Sequence, residues 1–170
     1  MKYEIKLIIR VLIAVILSLS AKLFYFVLAP ITLYSSYFIT KIFFPVAIKE
    51  NTFLINDLTL EFVPACVAVA AYILISLLIL LTKDIKPKVL IKMFVIGFFL
   101  ILIANLIRIE IMIFVLIEYG NNLFKTLDLF FWKVLSTAYI VFVWIFLTRL
   151  FKIKTIPVYS DVKYLIKRLK

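Results

Sequence analysis

The chain has 170 residues, of which 66% are hydrophobic, and a formal net charge of +11. Its mean hydropathy is +1.21. Soluble domains are nearer half apolar, so this composition predicts an integral membrane protein. There is no histidine and only one cysteine. This excludes zinc sites built on imidazole, Cys-His and Ser-His-Asp catalytic groups and an internal disulfide. No cofactor and no metal is expected.

The charges are arranged in alternating basic and slightly acidic segments. The N-terminus, the stretch from Lys83 to Lys92 and the tail from Arg149 onward are basic. Residues 29–65 and 118–130 each hold one more acidic than basic residue. This is the positive-inside pattern, and it predicts that both termini are cytoplasmic. The excess charge is therefore a topology signal, and no nucleic-acid partner is expected.

The apolar segments predict an all-α integral membrane protein with about four transmembrane helices in one domain. The predicted spans are residues 7–28, 64–82, 89–108 and 129–147, followed by a basic cytoplasmic tail at 148–170. Pro30 is expected to end the first span. Lys22 lies in the outer half of that span, where it either extends to the headgroups or contacts a phosphate or carboxylate in a substrate cleft.

Two further segments are predicted on the outer side. Residues 31–46 are aromatic and short, which favours an interfacial outer helix, with a full crossing as the alternative. Residues 52–55 and 58–62 flank Asn56-Asp57 and predict a short β-hairpin. Open strand edges are unstable in lipid, so this hairpin is expected in the outer aqueous layer.

Cys66 is the residue on which the functional hypothesis depends. Pro64 is expected to begin the second span, which places Cys66 in the first helical turn. Unpaired backbone N–H groups and the positive end of the helix dipole would lower the pKa of a thiol there. Taken alone, a single cysteine is also a common small apolar filler.

Two charged residues are predicted at the same face of the membrane as Cys66. Arg108 ends the outward third span, with Asn105 on the same helix face. Asp128 begins the returning fourth span, after a break at Gly120-Asn121-Asn122. Singly, Arg108 could be a headgroup anchor and Asp128 a helix N-cap. Together with the thiol, these groups could support nucleophilic catalysis.

These segments resemble the exosortase/archaeosortase family, most closely its short archaeal pacearchaeosortase type. The resemblance rests on Pro64-Ala65-Cys66 opening a helix after a hairpin, and on Asn105-Leu106-Ile107-Arg108-Ile109 at the outer end of the next. It covers most of the chain from about residue 50. Supporting segments are Val63-Pro64-Ala65-Cys66-Val67-Ala68, Phe131-Trp132-Lys133-Val134-Leu135-Ser136-Thr137 and Phe151-Lys152-Ile153-Lys154-Thr155-Ile156-Pro157-Val158-Tyr159-Ser160-Asp161.

The resemblance implies a cysteine transpeptidase or protease in an archaeal cell membrane, with its active site facing outward. Its partners would be exported proteins that carry a C-terminal motif, a transmembrane helix and a basic cluster, and a membrane lipid as possible acceptor. Cys66 matches the family nucleophile and Arg108 the family arginine. The third family position is usually histidine, and here Asp128 or, in a shifted alignment, Lys133 occupies it. Asn105 could assist in binding substrate.

Two non-enzymatic alternatives remain at this stage. In the first, the chain is a transporter element in which Lys22, Arg108 and Glu110 line a polar path through the membrane. In the second, it is a structural subunit of a larger complex, in which none of these side chains matters singly. Both predict that Cys66 is dispensable.

Overall fold

A computed structural model describes residues 3–55, 58–82, 85–153 and 157. These described residues are mostly helical and include one small sheet. The helices are α1 (Tyr3–Leu19), α2 (Ala21–Phe43), α3 (Val69–Leu80), α4 (Pro87–Phe130) and α5 (Ser136–Leu150), with a π-helical segment at Phe131–Leu135 before α5. The strands are β1 (Val46–Lys49), β2 (Thr52–Ile55) and β3 (Leu58–Glu61). The proposed Asn56-Asp57 turn and most of the tail at 148–170 lie outside the described residues.

The first break between helices is at Ser20, so the helix end expected at Pro30 is wrong. Ser20 has non-helical backbone angles, and its hydroxyl donates to the Ile16 carbonyl at 2.7 Å, a local bond that competes with helix continuation. Pro30 instead lies inside α2. Proline removes one backbone N–H and therefore one hydrogen bond of the helix. Buried residues of α2 lie before and after Pro30, and their packing compensates for the lost hydrogen bond. Residues 31–43 therefore continue α2 and do not form a separate interfacial helix.

The sheet has three antiparallel strands in the order β1-β2-β3. The predicted hairpin is confirmed as β2 and β3, whereas β1 was not foreseen. Phe53 of β2 pairs with Ile48 and Leu60 of its two neighbours. Glu50, with a positive φ of 55°, allows the tight turn between β1 and β2. Phe53 is wholly buried, so the sheet packs one face against the helices.

Among the residues that the structure describes, the buried hydrophobic side chains form two cores. The helical core joins α2, α3, α4 and α5 around Tyr72, Ile75, Met93 and Leu147. The sheet core joins the sheet to the second half of α2 and to the part of α4 around Ile109 and Ile113. The residues of the sheet core are Leu33, Phe53, Ile55, Phe62, Ile109 and Ile113. Cys66 packs against the sheet core, and Val67 belongs to the helical core. The segment around Cys66 therefore lies where the two cores meet.

Helix α4 reverses direction at Gly120, as the sequence predicted. Gly120 has φ 77° and ψ −174°, a combination that is essentially restricted to glycine. Gly120 divides α4 into two arms, residues 87–119 and 121–130. Two contacts indicate that the chain runs back antiparallel to the first arm. Arg108 pairs with Asp128 of the second arm, and the Tyr139 hydroxyl of α5 donates to the Leu100 carbonyl. The chain then continues through the π-helical segment into α5. This reversal places the start of the returning helix beside Arg108.

Within the part of the chain that the structure describes, two helical stretches are long and apolar enough to cross a membrane: Ala21–Phe43, with 23 residues, and Pro87–Leu150, which contains the reversal. Two shorter apolar helices are Leu7–Leu19 and Val69–Leu80. At 1.5 Å per residue, α2 is about 34 Å long, enough for a hydrocarbon layer of about 30 Å. The count of four spans stays a prediction.

Candidate active site

Cys66 lies in a tight turn formed by residues 64–68, not in the first turn of α3. The backbone N–H groups of Cys66, Val67 and Ala68 donate to the carbonyls three residues earlier. Ala68 adopts the left-handed conformation with φ 56°, and α3 begins only at Val69. The expected helix start at Pro64 is therefore wrong, because the left-handed residue separates the turn from the helix axis. The helix dipole is not the main influence on this thiol.

Two side chains of α4 hold this turn. The Asn105 Nδ2 donates to the carbonyl of Cys66 at 2.7 Å, and the Arg108 Nη1 donates to the carbonyl of Ala65 at 3.4 Å. Asn105 is 5% exposed, so its bond is shielded from water. This contact gives Asn105 a role in fixing the backbone on which the thiol is mounted. Because Asn105 and Arg108 are spaced i, i+3, they lie on one helix face and donate hydrogen bonds to two successive carbonyls.

Arg108 also forms an ion pair with Asp128. The Arg108 Nη2 lies 2.6 Å from the Asp128 Oδ1, and the two side chains are 11% and 40% exposed. Lys133, the alternative third residue, lies in the π-helical segment with an exposed side chain. Asp128, and not Lys133, thus contacts the arginine. Arg108 therefore contacts both Asp128 and, at the Ala65 carbonyl, the turn that carries Cys66.

Burial raises the pKa of the Cys66 thiol above its ordinary value. A backbone hydrogen bond from Val63 and the positive charge of Arg108 oppose this effect, and the negative charge of Asp128 adds to it. The lowering expected from the sequence is therefore not found: desolvation outweighs the arginine. A thiol in this state is mainly protonated near neutral pH, so it needs a proton acceptor before it can act as a nucleophile.

Two cavities meet at Arg108. The larger, of about 600 Å³, extends along α3 and is lined by both Arg108 and Lys22. Pro64 and Ala65 of the turn also line it. The smaller, of about 300 Å³, lies between α4 and the start of α5 and includes Asn105. The walls are otherwise mainly apolar, which suits ligands with apolar chains and an anionic or carbonyl group near the arginine.

Ser136 is a candidate site residue that was not predicted from the sequence. Ser136 lines both cavities, and its hydroxyl donates to the carbonyl of Phe131, five residues earlier, at 2.8 Å. This i, i+5 bond accompanies the π-helical segment, a feature common at functional sites. A π-helical turn has no distinctive side-chain pattern, so the sequence contained no signal for it.

Within the described ranges, no cluster of three or more histidine, cysteine or acidic side chains could hold a metal ion. The chemistry available at the site is therefore that of a thiol, a guanidinium, a carboxylate and apolar walls. The chain matches no protein family, no curated protein and no solved structure.

Proposed function

We propose that this protein is a membrane-embedded cysteine transpeptidase of the archaeosortase type. It cleaves exported proteins near their C-terminal transmembrane segment at the outer face of the cell membrane. It transfers the new carboxyl end to a lipid or another surface anchor. The proposal includes the membrane topology, with four crossings and both termini in the cytoplasm, which agrees with the apolar helices and the alternation of charge.

One observation supports this proposal: Arg108 joins two distant parts of the chain, the turn that carries Cys66 and the segment that carries Asp128. Arg108 bonds the turn that carries the thiol and pairs with Asp128. Residues 65, 108 and 128 are far apart in the sequence. If Arg108 were only a headgroup anchor and Asp128 only a helix N-cap, neither role would require these contacts. Cys66 is a partly buried thiol in a turn that contacts the Arg108 cation, and this cation pairs with the Asp128 carboxylate. Pro64 and Ala65 of the same turn line an apolar cavity. These are parts that nucleophilic acyl transfer requires.

In the proposed reaction, the Asp128 carboxylate accepts the thiol proton while the Cys66 Sγ attacks the scissile carbonyl carbon. Arg108 stabilises the resulting oxyanion. The C–N bond then breaks, the amine leaves with the proton from Asp128, and a thioester remains on Cys66. A hydroxyl or amine of the acceptor attacks the thioester, its proton passes to the sulfur, and the free thiol is restored. In this proposal, the apolar part of one substrate occupies the larger cavity, which Arg108 and residues 64–65 line.

The proposal is tested with Cys66→Ala in cells that also produce an exported protein with a C-terminal motif, a transmembrane helix and a basic cluster. Processing should fall at least a thousandfold, because no other thiol exists in the chain. Ser76→Ala is a matched control, since the Ser76 hydroxyl donates to the Tyr72 carbonyl of its own helix. Normal processing by the Cys66→Ala protein would refute the enzymatic proposal.

The transporter alternative receives less support from the geometry. Lys22 and Arg108 line the larger cavity, but Glu110 does not. Instead, the Glu110 carboxylate accepts hydrogen bonds from Ser36 and Thr40 of α2. A path that uses all three charges would have to pass through the packed interface between α2 and α4. Loss of transport in a Lys22→Ala variant, with Cys66→Ala unaffected, would favour the transporter.

A further inference from the structure

Glu110 makes a contact that the proposed reaction does not use. Its Oε1 accepts a hydrogen bond from the Ser36 hydroxyl at 2.8 Å, and its Oε2 accepts one from the Thr40 hydroxyl at 2.9 Å. Both hydroxyl-bearing residues are wholly buried. We refer to Glu110, Ser36 and Thr40 as the hydroxyl clamp. It joins the second half of α2 to α4 next to the sheet core.

The hydroxyl clamp holds its carboxylate with neutral donors only, among the residues that the structure describes. Lys41 is adjacent to Thr40 in sequence, but its ammonium lies 5.4 Å from the centre of the Tyr37 ring. Two hydroxyls, one helical turn apart, bind the two carboxylate oxygens separately, so the arrangement fixes both the height and the rotation of α4 relative to α2.

The hydroxyl clamp lies two residues beyond Arg108 on the same helix. Two residues correspond to a rotation of about 200°, so the two side chains leave α4 on nearly opposite sides. On one side, Arg108 bonds the turn at Ala65 and pairs with Asp128. On the other side, Glu110 bonds α2. A shift of α4 at Glu110 would therefore move the guanidinium relative to the thiol.

We propose that Glu110 is a positioning residue, which locks α4 against α2 so that the Arg108 guanidinium stays in register with the Cys66 turn. This inference deepens the proposed function but is testable without substrate. Since Cys66 is the only cysteine, the alkylation rate of the purified protein reports on this thiol alone. A guanidinium that moves away favours the protonated thiol, which is unreactive.

The test is the rate of iodoacetamide alkylation of the detergent-solubilised full-length protein between pH 7 and 9. Glu110→Ala should slow alkylation at pH 7.5 by about three- to tenfold. Glu110→Gln should stay within about twofold of the native rate, because an amide can still bond both hydroxyls. A mere charge effect predicts the opposite sign: removal of a carboxylate would favour the thiolate, and both variants would react faster.

Two further variants separate positioning from general loss of stability. Ile79→Val removes one methyl group from the helical core, away from the site, and should leave the alkylation rate unchanged. Ser36→Ala removes one bond of the hydroxyl clamp and should slow alkylation in part, which keeps the test decisive if Glu110→Ala does not fold. In an Arg108→Ala background, loss of Glu110 should have no additional effect.

The inference would be overturned by native or faster alkylation in both Glu110→Ala and Ser36→Ala, by equal slowing in Ile79→Val, or by an undiminished effect of Glu110→Ala without Arg108. The same experiment separates this inference from the proposed function. If Cys66→Ala leaves substrate processing intact while Glu110→Ala slows alkylation, the transpeptidase proposal fails and the positioning role stands.

Discussion

Replacement of Asp128 by asparagine should change thiol reactivity and substrate processing in opposite directions. The carboxylate of Asp128 raises the pKa of the Cys66 thiol, and Arg108 lowers it. Asparagine has nearly the same size but no charge, so the pKa of Cys66 should fall and the fraction of thiolate at a given pH should rise. At the same time, the proposed proton acceptor is lost.

The size of the effect follows from the geometry of the ion pair. Asp128 is 40% exposed, so solvent screens its charge, and we take its effect on thiol ionisation as about 1 kcal/mol. This corresponds to about fivefold faster iodoacetamide alkylation at pH 7 to 8, with the midpoint of the pH profile at lower pH. Processing of an exported substrate should fall by about a hundredfold, as expected for loss of a general base.

Arg108→Gln provides the matched comparison, since it removes the opposite charge from the same ion pair. It should slow alkylation, and by a larger factor, because Arg108 affects the thiol more strongly than Asp128 does. Alkylation that is unchanged or slower in Asp128→Asn, or that moves in the same direction in both variants, would refute this account of the site. Faster alkylation with normal processing would remove Asp128 from the proposed mechanism only.

Two other predictions concern the backbone that supports the site. Asn105→Ala should lower the free energy of unfolding by about 1–3 kcal/mol, because the carbonyl of Cys66 loses its donor at a part-buried position. Thermal unfolding in detergent measures this, and Asn122→Ala, at an exposed position, should change stability by less than about 0.5 kcal/mol. Gly120→Ala should cost about 1–3 kcal/mol through backbone strain alone, since no atom lies within 4 Å of the added Cβ. Asn121→Ala is its control, and equal stability of the two variants would contradict a strained reversal.

Local sequence signals were sufficient for several features. Gly120 was predicted to break a long apolar helix, and only glycine tolerates the backbone angles found there. Residues 52–55 and 58–62, which flank Asn56-Asp57, predicted a short hairpin, and the structure confirms its paired strands as β2 and β3. The spacing of Asn105 and Arg108 predicted a shared helix face, and both side chains reach the same turn. In each case, the cause lies within a few residues of the effect.

Other features were decided by contacts between distant parts of the chain. Val46–Lys49 becomes a strand because β2 offers it a paired edge. Pro30 lies inside a helix because packing stabilises α2 on both sides of it. Both outcomes depend on contacts with residues that are distant in the sequence, and the local secondary-structure propensity of a segment does not include such contacts.

Cys66 shows most clearly which properties the sequence determines and which depend on the tertiary structure. The sequence by itself determined which residues are available: one thiol, no imidazole, and an arginine and a carboxylate at the ends of apolar segments. Only the folded chain decided that the thiol lies in a tight turn and that burial outweighs the nearby cation. Desolvation depends on how many distant groups pack around an atom, and no local pattern encodes that quantity.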